Sequence, residues 1–229
     1  GAIYIGVVGP VRTGKSTFIK RFMDVAVLPY MEDAAQKTRA QDELPQSAGG
    51  RTITTTEPKF IPQEAVELKL AGEVTIRVRL VDCVGFMVEG AAGHLEDGAE
   101  RLVKTPWYDH EIPFTQAAEL GTRKVITDHS TIGVVVTTDG SFSDLPQETY
   151  LDAENQAISE LKKLHKPFLV LVNSSHPSSR TAREAAERIE KQHSVAAMPV
   201  NCAQLSEEDI RQIMEQILYE FPVSRVEFY

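Results

Sequence analysis

Gly9-Pro10-Val11-Arg12-Thr13-Gly14-Lys15-Ser16 follows a short run of apolar, largely β-branched residues (Ile3, Tyr4, Ile5, Val7, Val8) and leads into Ser16 to Val27, whose apolar spacing is helical. The order is strand, glycine loop, helix, and the spacing G-x-x-x-x-G-K-[ST] is complete. Glycines allow a loop whose backbone N–H groups converge on phosphate oxygens, and the helix N-terminus adds positive potential. In such a loop Lys15 bridges the outer phosphates of a nucleoside triphosphate and Ser16 places its hydroxyl on magnesium. Gly9, Arg12, Thr13, Gly14, Lys15, Ser16 and Thr17 are the expected nucleotide-binding residues.

Downstream, Leu80-Val81-Asp82-Cys83-Val84-Gly85 is an apolar run ending in D-x-x-G. Behind a phosphate loop, Asp82 is expected at the end of a neighbouring strand, holding magnesium through water, while Gly85 brings its N–H to the terminal phosphate. Thr52, Thr54, Thr55 and Thr56 close a long polar stretch. One of them can coordinate magnesium and sense the terminal phosphate, Thr55 and Thr56 being the better candidates; a β-favouring run heading a strand is the competing reading. Lys15, Thr55, Thr56, Asp82 and Gly85 are thus the expected catalytic residues, and Ser16, Thr55, Thr56 and Asp82 the expected metal set. Phe86 stands where many related enzymes carry a glutamine that orients the attacking water, which a phenyl ring cannot do. Another group or a partner must then do so, and Arg51 is a candidate charge-stabilising residue.

Guanine-specific members of this class use N-K-x-D after a strand, the aspartate accepting two guanine protons. Here that position reads Asn173-Ser174-Ser175-His176. A neutral histidine cannot accept both protons, and Ser174 is too short to cover the ring. ATP is therefore expected rather than GTP, with Asn173 and the Cys202-Ala203 loop near the base.

Alternation over Ala65 to Leu70 and Val74 to Val81 predicts a hairpin. Strand and helix then alternate: Thr131 to Thr138, Gln147 to Leu164, Pro167 to Asn173, Ser179 to His193, Val195 to Asn201, Ser206 to Tyr219. That pattern predicts an α/β, three-layer P-loop NTPase fold, GTPase-like, with a mostly parallel central sheet and one antiparallel hairpin strand. Leu28 to Pro62 shows no periodicity. Residues 86–130, with a helix over Thr115 to His129, read as an inserted lid or partner surface. The expected organisation is one NTPase domain over residues 1–222 and the start of a following domain over 223–229, the chain being a piece of a longer protein. A net charge of -9 over 229 residues gives no basic footprint for nucleic acid. No apolar run approaches the roughly 20 residues of a membrane span. Cys83 and Cys202 lack the close pairing of zinc sites or disulfide frameworks and are read as reduced, buried and cytosolic.

Longer blocks outside the motifs are more specific still. Ala40 to Ala48 (AQDELPQSA), Thr55 to Phe60 (TTEPKF), Lys104 to Tyr108 (KTPWY) and His129 to Val134 (HSTIGV) closely resemble the stage IV sporulation protein A family of spore-coat morphogenetic ATPases, across essentially the whole chain. The resemblance implies ATP hydrolysis driving assembly of a static polymer on the outer forespore membrane, from the mother-cell cytoplasm, with small membrane-anchor and coat proteins as partners. It also implies that the regions mediating polymerisation and anchor contacts lie outside this sequence. By position it makes Lys15 the loop lysine, Thr55 and Thr56 the sensor threonines and Asp82 the magnesium-linked aspartate. The alternatives are a GTPase switch of the translation or ribosome-assembly type and a nucleotide-binding scaffold without turnover.

Overall fold

The computed structural model describes residues 2–45, 56–69, 75–91 and 94–220, and at 68, 69, 75 and 76 the backbone alone. Arg51, Thr52, Thr54 and Thr55 lie outside the described residues. Six strands form one sheet: β1 (Ala2–Val8), β2 (Lys59–Lys69), β3 (Thr75–Asp82), β4 (Ile132–Thr138), β5 (Phe168–Asn173) and β6 (Ala197–Val200). Their order is β6-β5-β4-β1-β3-β2. All neighbours are parallel except β2, which runs antiparallel to β3 at one edge. This is the mostly parallel sheet with one antiparallel hairpin strand that the alternation predicts.

Buried parallel strands present apolar side chains to both faces. Ile5 and Val7 of β1, Val134 and Val136 of β4, and Leu169 and Leu171 of β5 meet α1 (Lys15–Phe22) and α6 (Glu207–Tyr219) on one side. Val8, Val135, Val170 and Val172 meet α4 (Leu151–Lys163) and α5 (Arg180–His193) on the other. Two cores on one sheet make the three layers.

Three local expectations change. The first helix ends at Phe22 and widens into a π-type turn over Met23–Val27 rather than continuing as α-helix. The supposedly irregular stretch after Leu28 contains α2 (Ala34–Asp42) and the start of β2. Asp33 caps α2, its carboxylate accepting the N–H groups of Ala35 and Gln36 at 2.8 and 2.9 Å. Pro62 does not break β2, because that strand lies at the sheet edge and its register shifts between Ile61 and Val66.

Within residues 86–130, two short ladders pair Leu95–Glu96 with Ala99–Glu100 and Leu102–Val103 with Ile112–Pro113. The helix that follows, α3 (Phe114–Lys124), continues through Val125–His129 into β4 and buries Val125 and Ile126 in the second core. It is therefore the crossover between β3 and β4, and only the chain before it is additional to the βαβ pattern. Among the described residues no helix is long and apolar enough to cross a membrane.

Candidate nucleotide site

The loop between β1 and α1 turns through left-handed backbone at Gly9, Arg12 and Gly14, with φ of 137°, 59° and 98°. Space as well as conformation demands glycine at the first and last. A Cβ on Gly9 would run into the Val136 carbonyl of β4, and one on Gly14 into the Asn173 side-chain amide of β5. Both neighbouring strands also brace the loop directly. The Thr13 hydroxyl is 2.7 Å from the Val136 carbonyl and 3.0 Å from that of Pro10. Asn173 Nδ2 donates to the Thr13 carbonyl at 2.9 Å, and its Oδ1 accepts the Cys202 N–H at 3.0 Å. One side chain thus ties the loop to the turn after β6.

Lys15, at the first turn of α1, is buried, and its ammonium donates to the Pro10 carbonyl at 2.6 Å. Burial pulls its pKa below the ordinary lysine value, against the raising influence of Cys83 and Asp82. Ser16 Oγ donates to Asp82 Oδ2 at 2.8 Å, and the Cys83 N–H donates to Asp82 Oδ1 at 2.9 Å. Burial raises the Asp82 pKa above the usual carboxylate value, outweighing Ser16, Lys15 and the Cys83 amide. The ammonium and the carboxylate are each incompletely compensated, so a polyanion beside Lys15 and a cation beside Asp82 would stabilise both charged forms.

Gly85, at φ 101°, closes this arrangement: a Cβ there would lie 2.7 Å from Lys15 Nζ and 3.1 Å from the Pro10 carbonyl carbon. The next residue is stitched to the loop, Phe86 N–H donating to the Gly9 carbonyl at 3.0 Å and Val11 N–H to that of Phe86 at 2.9 Å. The Phe86 ring is buried in the core with Val11, Val81 and Val88. Lys15, Ser16, Asp82 and Gly85 are thus brought together as expected. Thr56 is buried with its carbonyl against Gly121 of α3. Arg12 and Ser16 are exposed at the loop, and Thr17 is half-buried.

On the side assigned to the base, both loop amides are engaged within the chain: Cys202 N–H with Asn173, and Ala203 N–H with Asn201 Oδ1 at 3.1 Å. Asn173 serves as a brace in this arrangement. Ser174 is buried and accepts the His176 N–H at 3.0 Å, leaving the His176 side chain exposed. Sequence reasoning missed Thr122 of α3, whose Oγ1 accepts the Gly85 N–H at 3.1 Å. No motif announces it, since it lies 37 residues downstream of Gly85.

A hydroxyl and a carboxylate 2.8 Å apart are hard oxygen donors suited to magnesium. Among the described residues no group of three or more His, Cys, Asp or Glu could hold a metal ion. Ser16 and Asp82 are the pair here that would hold magnesium. Cys83 and Cys202 are free thiols and buried.

Residues 1–222 match the family described as stage IV sporulation protein A, ATPase domain. The stage IV sporulation protein A of Clostridioides difficile (strain 630) is 50% identical over 226 residues, and those of Bacillus subtilis (strain 168) and Bacillus anthracis are 47% and 46% identical. Each alignment covers 99% of this chain and 46% of the relative, so the chain spans about half the length of these proteins. With a match of that extent, the chain belongs to the stage IV sporulation protein A family, over its ATPase domain.

Proposed function

We propose that this chain binds ATP with magnesium through Gly9 to Ser16 and hydrolyses the terminal phosphoanhydride. The observation that carries this reading is the convergence of Lys15, Ser16, Asp82 and Gly85 on one braced loop. The loop amides and Lys15 bind and orient the phosphates. Ser16 and Asp82, with Thr55 or Thr56, would hold magnesium, which would supply neutralisation of the charge on the departing phosphoryl group. The Gly85 N–H orients the terminal phosphate. Adenine is favoured because Ser174-Ser175-His176 offers no carboxylate for the paired guanine protons. Asn173, Cys202 and Ala203 then shape the base side.

Hydrolysis drives a conformational change used for self-assembly of a spore-coat basement polymer at the forespore surface, in the mother-cell cytoplasm, with membrane-anchor and coat proteins as partners. Family membership supports this part of the reading. Buried Phe86, in place of a water-orienting glutamine, favours one second reading: a scaffold that holds nucleotide without turnover.

The test is phosphate release with ATP and GTP in parallel, on wild type and Lys15→Ala. ATP-selective release that falls on the order of 100-fold in Lys15→Ala is expected. GTP-selective release would overturn the base assignment, and tight ATP binding with no release would establish the scaffold. Sedimentation of the protein with ATP against ADP then tests whether turnover is coupled to assembly.

A further inference from the structure

We infer that Thr122 limits the preference for triphosphate over diphosphate, by holding the Gly85 N–H that a terminal phosphate must take, and that α3 carries this exchange to the segment before it. The inference rests on the phosphate reading above. Thr122 is fully buried, accepts the Gly85 N–H at 3.1 Å, and donates its own proton to the Ala118 carbonyl at 2.8 Å. A threonine in mid-helix gains little from bonding its i−4 carbonyl. What its Oγ1 adds here is a lone pair aimed at the Gly85 amide, which lies between Lys15 and α3.

Gly85 cannot drift away to meet a new partner, because Phe86 is laddered to Gly9 and Val11. The N–H must therefore turn from Thr122 toward the phosphate, and each bond excludes the other. A diphosphate, with no terminal phosphate, leaves the Gly85–Thr122 bond in place. The neighbouring Gly121 abuts the Thr56 carbonyl, so α3 touches both segments that flank the site. At its other end α3 is fastened to the preceding chain: Phe114 N–H donates to the Arg101 carbonyl at 2.8 Å, and Thr115 N–H to Glu100 at 3.1 Å. Loss of the Thr122 bond is thereby transmitted to residues 100–114.

Calorimetric titration of wild type, Thr122→Val and Thr122→Ser with ATPγS·Mg and ADP·Mg tests the inference. Valine removes the bond from the free and ADP states but not from the ATPγS state, where Gly85 has its phosphate partner. The ratio of Kd(ADP) to Kd(ATPγS) is expected to rise about 5-fold in Thr122→Val, the factor for one net hydrogen bond, and to return to the wild-type ratio in Thr122→Ser. A structural role alone would change both affinities by a common factor, and an unchanged ratio overturns the inference while leaving the phosphate reading intact. Failure of wild type to bind either nucleotide, indistinguishable from Lys15→Ala, would sink the phosphate reading and this inference with it. Should Thr122→Val not fold, hydrogen exchange on wild type decides: ATPγS·Mg, but not ADP·Mg, is expected to change protection at 118–124 and 100–114. Identical exchange with both nucleotides overturns the inference.

Discussion

Adding one methyl group at Gly85 tests how tightly the two halves of the site are fitted together. A side chain at φ 101° is held in the left-handed region, which costs about 1–2 kcal/mol. The new Cβ would also sit 2.7 Å from Lys15 Nζ, 3.1 Å from the Pro10 carbonyl carbon, and against the Gly9 carbonyl oxygen. Backbone atoms of a braced loop cannot yield as a flexible side chain would, and overpacking of this kind adds about 1–3 kcal/mol. Gly98 supplies an internal control, because its φ is 80° but nothing lies within 4 Å of its Cβ position. Gly98→Ala should thus lose only the conformational term, about 1–2 kcal/mol, and Gly85→Ala about 2–5 kcal/mol. With a urea slope of about 2–3 kcal/mol per molar, the Gly85→Ala midpoint falls by about 0.7–2.5 M and that of Gly98→Ala by about 0.3–1 M. Phosphate release should fall on the order of 100-fold in Gly85→Ala alone, because Lys15 is displaced. Equal midpoints for the two variants, or wild-type turnover in Gly85→Ala, would refute the fitted arrangement.

Asp82 has a raised pKa because of burial, so the native state holds this proton more tightly than the unfolded chain does. The stability it contributes is present at low pH and declines as pH rises through the carboxylate range. Nucleotide-free Asp82→Asn should therefore match or exceed wild type in urea midpoint near neutrality, the gap closing in acid, while its half-saturating magnesium in nucleotide binding rises about 10–100-fold. A clearly less stable variant at neutral pH contradicts the burial argument. Glu154 is fully buried, bonded to the Thr137 hydroxyl and to Arg188 Nη2 at 2.8 Å, whereas the Arg188 side chain is 31% exposed. Arg188→Ala strands the carboxylate and should cost about 3 kcal/mol, but Glu154→Gln leaves a guanidinium that still reaches water and should cost about 1 kcal/mol. Thermal or urea melts check the asymmetry, and equal losses would refute it. Burial pushes the Cys83 thiol up to about 11 and that of Cys202 up to about 12. Both should resist iodoacetamide in native protein near pH 8 and react once unfolded; native labelling followed by mass spectrometry would expose an error.

The parts of this molecule legible in sequence are those where one residue type answers one local demand. Gly9 and Gly14 mark left-handed backbone with no room for a side chain, and the apolar run through Ile5, Val7 and Val8 marks a strand buried on both faces. α2 was hidden because it buries only Ala40 and so lacks an apolar stripe, although Asp33 ahead of Ala34-Ala35 carries a cap signal. Pro62 reads as a breaker in any one-dimensional scan, since edge position is a property of the sheet and not of the residue. Asn173 was recognised by its place after a strand, but whether its amide faces a base or braces the loop is decided by Thr13 and Cys202, both remote in sequence. Thr122 belongs to the same class: its meaning comes from a helix crossing that no spacing rule encodes.

The two flanks of the loop between β1 and α1 are held by different kinds of contact. Toward β4 and β5 the loop is bolted down by Thr13 and Asn173, so that flank is a fixed jaw, shaped in advance and unable to report what it grips. Toward β3 the loop is laddered to Phe86, and the neighbouring Gly85 N–H, bonded to Thr122, is the contact we infer to be exchangeable, which would make that flank the moving jaw. A vice of this kind closes from one side only. If the proposed hydrolysis and the inferred Gly85 exchange operate, the motion they drive would leave the molecule by way of β3 and α3 rather than through the β5–β6 side.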